Sequence, residues 1–139
     1  RNDIGTRIVG YNTTFQGSSD LGRQMNQVFV GIPFGILRRK LKYLCEMNGI
    51  RYVEQEESYT SMASFWDLDE MPVYGEAGLV PPVFSGRRIC RGLYQDRSGR
   101  RINADVNGAL NIMRKCNIVS LRALYDRGDV DTPVRIRIA

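Results

Sequence analysis

The first 57 residues contain two strand-like segments on either side of one helical segment, and this order leaves few topologies open. Ile4 to Tyr11 and Ile50 to Val53 have the β-branched and aromatic side chains typical of strands. No tight hairpin turn joins them, so the order strand, helix, strand predicts a right-handed crossover with parallel strands. The sequence therefore predicts an α/β fold built on a parallel βαβ unit. Glu56 and Glu57 follow the second strand, at the end where such folds tend to carry catalytic groups.

The helix of this unit is predicted to begin at Pro33, because the missing N–H of proline is no loss in a first turn. Asn48 and Gly49 are predicted to end it, since glycine readily takes the left-handed cap conformation. Apolar residues recur between these limits at helical spacing: Phe34, Leu37, Leu41, Leu44 and Cys45.

The segment 58–102 is rich in glycine and proline and shows no sustained periodicity, so we predict a loop-rich insert. Short strands are predicted near Val73-Tyr74 and from Arg88 to Tyr94. The predicted division of the chain is a βαβ part at 1–57, the insert at 58–102, a helix at 103–125 and a tail at 126–139.

Helical spacing returns after residue 103, and either Asn103 or Asp105 is suited to cap the helix. The predicted apolar face consists of Val106, Ala109, Leu110, Met113 and Ile118. Asn107 and Asn111 recur at the same spacing as Asn103, which indicates a polar helix face. Asn107 could instead orient carboxylates or contact the strand. The tail alternates over 134–138 and is open to two interpretations, an edge strand or a disordered end.

Charge and composition restrict the function. Residues 1–50 carry a net charge of +4, residues 51–86 carry −6 and residues 87–139 carry +7, a distribution that suits binding of a polyanion or simply a solvated surface. The chain has no His, which excludes His-based catalysis and His-ligated metals within it. Its three cysteines form no CxxC pair, which fits a reducing compartment. No membrane span or signal peptide is evident, so no membrane partner is expected.

Two carboxylates stand at positions suited to chemistry. Asp105 lies near a predicted helix start, and Glu57 lies at a predicted strand end. Carboxylates on a mixed β/α scaffold without His are what a Mg²⁺-dependent phosphodiester hydrolase requires, because Mg²⁺ prefers hard oxygen ligands. The alternatives are a helix cap for Asp105 and a solvated strand end for Glu57.

Four segments together resemble a known family. They are Ile8–Asn12 (IVGYN), Val30–Phe34 (VGIPF) with Leu41–Tyr43 (LKY), Ser58–Ser61 (SYTS) and Asp105–Ile112 (DVNGALNI). In order and spacing across residues 4–116, they resemble the second RuvC strand, the following helix, the entry to the zinc ribbon and the third RuvC motif of TnpB (OrfB) proteins. These are transposon-encoded RNA-guided nucleases, related to type V CRISPR effectors and to Fanzor proteins.

The resemblance implies an RNase H-like (RuvC) fold and RNA-guided cleavage of DNA with Mg²⁺. It implies DNA and guide RNA as partners, in a prokaryotic cytoplasm close to the nucleoid. Asp105 matches the family's metal-binding aspartate. Gly10 stands where many members have a catalytic Glu, but some relatives, Fanzor proteins among them, have a Glu on the next strand instead. Glu57 occupies that place here, with Glu56 as the second choice.

The insert departs from the family's zinc ribbon. Ser61 to Trp66 contains no Cys, and only Cys90 falls in the second half, so too few ligands remain and no zinc is expected. The insert is then expected to be held by packing through Phe65, Trp66, Tyr74 and Tyr94. The first RuvC motif and the family's N-terminal domains are not found in this sequence. We therefore expect the C-terminal part of a nuclease, inactive alone; an inactive binding descendant or a decayed transposon fragment are the alternatives.

Two groups of basic residues are candidates for nucleic-acid contact. The first lies on the predicted helix beside the apolar stripe and could equally be a solvated face: Arg38, Arg39 and Lys42. The second flanks the degenerate ribbon, where Asp96 is the only acidic residue from 87 to 101: Arg87, Arg88, Arg91, Arg100 and Arg101. For Trp66 we favour core packing over base stacking, and for the three cysteines a role as small apolar side chains.

Overall fold

The computed structural model describes residues 4–12, 33–75, 81–127 and 130. Contacts divide the chain into two compact units, Arg1–Glu56 and Glu57–Ala139, which are described separately. The predicted alternation at 134–138 and the segment 13–32 lie outside the described residues. Within the described ranges, every helix is too short or too polar to cross a membrane.

The first unit contains the predicted parallel pair. Strand β1 (Thr6–Tyr11) runs parallel to β2 (Arg51–Glu56), and helix α1 (Phe34–Met47) lies between them in sequence. In this register Gly10 lies opposite Gln55, and Tyr11 lies opposite Glu56. The α/β class and the parallel pairing predicted from the sequence are therefore confirmed.

Helix α1 begins and ends where its local sequence predicts. The Pro33 carbonyl accepts hydrogen bonds from the N–H groups of Ile36 and Leu37. At the other end, Gly49 has φ +66°. The Gly49 N–H donates to Glu46 O (3.2 Å), and the Ile50 N–H donates to Cys45 O (2.8 Å), which is the Schellman pattern. Of the predicted apolar stripe, only Cys45 is buried; Phe34, Leu37 and Leu44 are exposed.

The second unit contains a three-stranded antiparallel sheet in the order β3-β4-β5. The strands are β3 (Arg87–Cys90), β4 (Leu93–Gln95) and β5 (Arg101–Asn103). The single strand predicted from Arg88 to Tyr94 is thus two strands joined by a reversal, at which Gly92 has φ +81°. The strand predicted at Val73-Tyr74 is wrong, because those residues are irregular, and β5 was not predicted.

Helix α2 (Ala104–Cys116) follows β5 without a loop. Asn103 is its N-cap: Oδ1 accepts from the N–H groups of Asp105 (2.9 Å) and Val106 (3.2 Å). The cap is therefore Asn103 and not Asp105. The buried face differs from the predicted one, since Ala109 is exposed, whereas Ala104, Asn107, Leu110 and Asn111 are buried. The helix predicted for 103–125 is divided in two: α2 ends at Cys116, and a separate short helix, α3 (Arg122–Arg127), follows.

The core of the second unit lies between the insert, the sheet and the two helices. Its buried members are Phe65, Tyr94, Ile102, Ala104, Leu110 and Leu121. Phe65 stacks on Tyr125 at 4.6 Å between ring centroids, and Trp66 meets both rings edge-on. The predicted packing through Phe65, Trp66 and Tyr94 is confirmed, but Tyr74 is 67% exposed and lies outside this core.

Candidate nucleic-acid interface

Two asparagines of α2 hold the irregular part of the insert. Asn107 Oδ1 accepts from the Phe65 N–H (3.1 Å), and Asn107 Nδ2 donates to Ala63 O (2.9 Å). Asn111 Nδ2 donates to Ala63 O (2.7 Å) and to Thr60 O (2.9 Å). Both side chains are fully buried, so the predicted polar, solvated face is wrong. Buried backbone outside regular structure must find partners elsewhere, and these amides supply them.

A carboxylate joins the two halves of the insert. Asp69 Oδ2 accepts from the N–H groups of Ser64 (2.8 Å) and Ser85 (2.9 Å), and Oδ1 accepts from Ser85 Oγ (2.5 Å). Arg97 extends the arrangement by donating from its side chain to Ser85 Oγ (2.9 Å) and from its N–H to Asp67 Oδ2 (3.0 Å). We call Ser64, Asp67, Asp69, Ser85 and Arg97 the Asp69 clasp. It acts alongside the aromatic packing, where a zinc ribbon would use metal ligands.

The environment of Asp69 favours its charged form. Burial alone would raise the pKa of this carboxyl group, but the hydrogen bonds from Ser85 and Ser64, together with the positive charge of Arg114, outweigh burial. The net result is a pKa lowered from 3.8. The ionised carboxylate therefore stabilises the folded state, and this contribution is present above pH 3.8 and lost as the pH falls through the lower folded pKa.

Replacing Asp69 by Asn is expected to lower the free energy of unfolding at pH 7 by about 1–2 kcal/mol, because charge-assisted hydrogen bonds become neutral ones. The loss should shrink below pH 3.8, as the wild-type carboxylate itself becomes protonated. Urea unfolding at a series of pH values, followed by the fluorescence of the single Trp66, measures both effects. Glu70→Gln at the exposed neighbouring position is the control. Parallel pH profiles for the wild type and Asp69→Asn would contradict the assignment.

The sheet presents several arginines to solvent. Arg87 lies opposite Gln95, and Gln95 lies opposite Arg101, so these three residues share one face. Tyr94 and Ile102 are buried on the other face, and the face with Arg87 and Arg101 is therefore the outer one. In the sheet and in its β3–β4 turn, four exposed arginines have no ion pair among the described residues: Arg87, Arg88, Arg91 and Arg101.

Arg100 differs from the other predicted arginines because it is engaged within the unit. Its Nε lies 3.8 Å from Asp96 Oδ2, and its guanidinium carbon lies 4.4 Å from the centre of the Trp66 ring. Asp96 is buried and also accepts from the Arg100 N–H (2.7 Å) and from Ser98 Oγ (2.8 Å). The only acidic residue from 87 to 101 thus stabilises the β4–β5 turn and leaves the exposed arginines unbalanced.

The basic residues of α1 divide in the same way. Arg38 lies 3.3 Å from Glu54 Oε2 and its guanidinium carbon lies 5.4 Å from the centre of the Tyr11 ring, so it is engaged within the first unit. Arg39 and Lys42 are exposed and have no ion pair among the described residues. They remain available for phosphate contact.

The two predicted metal-binding carboxylates lie at element ends. Asp105 is exposed in the first turn of α2, where the positive end of the helix dipole favours a negative charge. Glu57 is half-buried directly after β2, and its carbonyl accepts from the Thr60 N–H and from Thr60 Oγ1. Glu56 is the last residue of β2. Within the described ranges no group of three or more His, Cys, Asp or Glu residues could hold a metal ion.

The three cysteines are free thiols in different surroundings. Cys45 is buried, as predicted for a small apolar side chain, and Cys116 is half-buried. Cys90 is exposed at the end of β3, so the prediction of a packing role is wrong for this residue.

These features define an α/β chain whose insert, held by hydrogen bonds and aromatic packing, carries an arginine-bearing sheet. A family model described as Cas12f1-like, TNB domain, matches residues 34–112, more than half of the 139 residues. The chain belongs to this Cas12f1-like TNB-domain family, and hence to the lineage related to TnpB and Cas12, for which nucleic acids are the general class of partner. No curated protein and no solved structure matches the chain significantly.

Proposed function

We propose that the chain supplies the nucleic-acid-binding insert and two metal-binding carboxylates of a TnpB-type, RNA-guided DNA endonuclease with an RNase H-like (RuvC) domain. The observation that carries this proposal is that the family match spans both the arginine-bearing sheet and the start of α2 with Asp105. DNA and guide RNA are the proposed partners. The parallel pairing of β1 with β2 supports the RuvC assignment, since such a domain is built on βαβ units.

The candidate carboxylates support Mg²⁺ as the cofactor of this activity. The Asp105 side chain makes no hydrogen bond or ion pair with the described residues, which suits a ligand better than a structural carboxylate. Glu56, the last residue of β2, has the phase of Tyr11, its partner. The alternation of β2 continued by one residue would give Glu57 the phase of Gln55, the partner of Gly10. This phase favours Glu57 over Glu56 as the replacement for a carboxylate at position 10. A complete site needs further carboxylates from outside the described residues; Mg²⁺ would there activate water and stabilise the leaving oxygen.

Removing exposed arginines from the sheet tests the nucleic-acid role. The double substitution Arg87→Ala and Arg101→Ala should weaken binding of a 20-nucleotide DNA about tenfold or more at moderate salt. It should also reduce the slope of log affinity against log salt by about 1.5, because two phosphate contacts no longer release counterions. Fluorescence anisotropy at several salt concentrations measures both quantities.

The matched control is Arg122→Ala, which removes an exposed arginine of α3 away from the sheet. Its salt slope should equal that of the wild type. A double variant that keeps the wild-type slope would show that the outer face of the sheet does not contact phosphates, and the proposed role of the insert would then be wrong.

A second candidate function is a guided binding protein that does not cut. Gly10 at the position opposite Gln55 favours this alternative. It makes the same prediction for the arginines, so only a cleavage measurement separates the two functions.

A further inference from the structure

We infer that the aromatic cluster of Tyr59, Tyr74 and Phe84, together with Arg87 and Arg88, binds unpaired bases of a single-stranded nucleic acid. Tyr74 is exposed, whereas Tyr59 and Phe84 are half-buried. We call these five residues the stacking platform. The inference rests on the proposed function and adds to it the form of nucleic acid that the insert prefers.

The three rings of the platform lie together outside the main core. The Tyr59 ring centre is 6.3 Å from that of Tyr74 and 5.8 Å from that of Phe84, with interplanar angles of 33° and 41°. None of the three belongs to the buried cluster around Phe65. Tyr74 is 67% exposed, which leaves most of a large aromatic side chain in contact with water. Such exposure gains nothing for folding but provides a surface on which a planar group can stack.

The backbone at Tyr59 takes an unusual conformation. Its φ is +64°, in the left-handed region that residues other than Gly and Asn rarely adopt. The neighbouring Ser58 and Thr60 are buried, and the Tyr59 carbonyl accepts from the N–H groups of Met62 and Ala63. A strained backbone conformation that the surroundings maintain suggests a functional constraint. For Tyr59, that constraint would be to hold its ring against those of Tyr74 and Phe84.

Phe84 connects these rings to the arginines. It lines an open groove with Gly86, Arg87 and Arg97, and a second open groove with Met62, Arg87 and Arg88. The Phe84 ring, which contacts Tyr59, therefore borders the same surface as Arg87 and Arg88, which have no ion pair among the described residues. This combination is complementary to a polyanion that carries planar apolar groups, which is the chemistry of a nucleic-acid strand.

Gly86 fixes the position of this surface on the sheet. A Cβ atom at residue 86 would lie 2.6 Å from Gln95 O and 2.6 Å from the Tyr94 ring, closer than side-chain carbons approach. The absence of a side chain lets the segment that leads from Phe84 into β3 lie directly against β4. Because Tyr94 is buried and donates to Met62 O (2.8 Å), the second groove, which both residues line, is anchored to the core.

The chemistry favours a single strand over a duplex. In a duplex the faces of the bases are stacked on one another and only their edges are accessible, whereas an unpaired strand offers its faces to aromatic side chains. A duplex could still contact Arg87 and Arg88 through phosphates, but it would gain nothing from Tyr74. Base stacking of this kind depends little on sequence, because every base has a π-face.

The platform is tested by measuring the affinity of the 139-residue chain for three probes. The probes are a 20-nucleotide oligothymidine, a 20-base-pair duplex and inorganic polyphosphate, each used as a fluorescent ligand or as a competitor. Tyr74→Ala is expected to weaken binding of the oligothymidine about 5- to 100-fold, the range typical of one lost base–aromatic stack. Binding of the duplex and of polyphosphate should stay within about twofold, because neither probe offers free base faces. Tyr74→Phe should restore the affinity, since it keeps the ring.

The matched control is Tyr43→Ala, which removes a tyrosine that is 60% exposed on α1, in the other unit. It should leave all three affinities unchanged. The platform hypothesis is wrong if Tyr74→Ala lowers the affinity for all three probes equally. It is also wrong if Tyr74→Ala leaves the affinity for oligothymidine unchanged, in which case the exposed Tyr74 ring suits a protein partner instead. If oligothymidine binding depends on Arg87 and Arg101 but not on Tyr74, the proposed nucleic-acid function stands and only the platform is wrong. If no probe binds at low salt, both are wrong.

Discussion

Asp105→Ala is expected to abolish Mg²⁺-dependent cleavage of guide-matched DNA by a nuclease that carries this chain together with a further catalytic aspartate. The proposed metal site would lose a direct ligand. The loss should exceed the roughly 10- to 100-fold effect typical of removing an outer partner of a metal ligand. Glu57→Ala is expected to have a similar effect. Cleavage should be measured at concentrations of the variants that give equal binding of guide RNA, because metal ligation and guide binding are separate requirements.

Glu56→Ala is the matched control for Glu57→Ala, since the two residues are adjacent and carry the same side chain. Cleavage retained by Glu56→Ala and lost by Glu57→Ala would support the relocated carboxylate. The opposite result would exchange their roles. A wild-type protein that binds its target but never cuts would show that nothing replaces a carboxylate at Gly10, and the non-cutting binding protein would then be the better description.

The sequence predicts α1 and its ends well because the determinants are local. The Pro33 carbonyl accepts the first hydrogen bonds of the helix, and Gly49 supplies the left-handed cap within two residues of its last turn. The parallel pairing of β1 with β2 follows equally from the order of elements. Such features depend on a few neighbouring residues, whose conformational preferences act in any surroundings.

The sequence does not reveal what holds the insert, because those contacts span long separations. Asn107 bonds to residues 42 and 44 positions away, and Asp69 bonds to Ser85, 16 positions away. Periodicity places Asn107 on a helix but treats an amide as polar and therefore as exposed. The sequence shows only what the insert lacks, namely zinc ligands and periodicity. A loop of this kind must satisfy its buried backbone N–H and C=O groups by other means. Packing was predicted on that ground, and the amide and carboxylate contacts were missed.

The candidate site shows the same limit. Its arginines could be identified from charge alone, but Arg100 is bound to Asp96 and Trp66, which only the fold reveals. The sequence predicts packing for Tyr74 because the insert lacks zinc ligands, and the exposure of this side chain cannot be read from an irregular segment.

Asn107 has the strongest structural role of the residues that the sequence misjudged. Its side chain both accepts from the Phe65 N–H and donates to Ala63 O, in a position with no access to water. Ala63 O keeps a second donor in Asn111, but the Phe65 N–H has no other acceptor among the described residues. Phe65 in turn stacks on Tyr125 and contacts Trp66, so a displaced Phe65 backbone would disturb the centre of the core.

Asn107→Ala is therefore expected to lower the free energy of unfolding of the second unit by about 2–4 kcal/mol, since a buried donor is left unsatisfied and a small void forms. That is a large part of the 5–15 kcal/mol typical of a domain, so partial unfolding near 37 °C is expected. Urea titration followed by the fluorescence of Trp66, which is adjacent to the lost contact, reports the change as a lower midpoint at an unchanged slope.

Gly108→Ala in the same helical turn provides a control of opposite sign. A Cβ at residue 108 would meet nothing within 4 Å, and alanine favours the helical backbone by up to about 1 kcal/mol over glycine. If Asn107→Ala and Gly108→Ala both change the free energy of unfolding by less than about 0.5 kcal/mol, the amide does not hold the insert. A loss confined to Asn107→Ala would instead show that this part of the insert depends on a buried amide of α2.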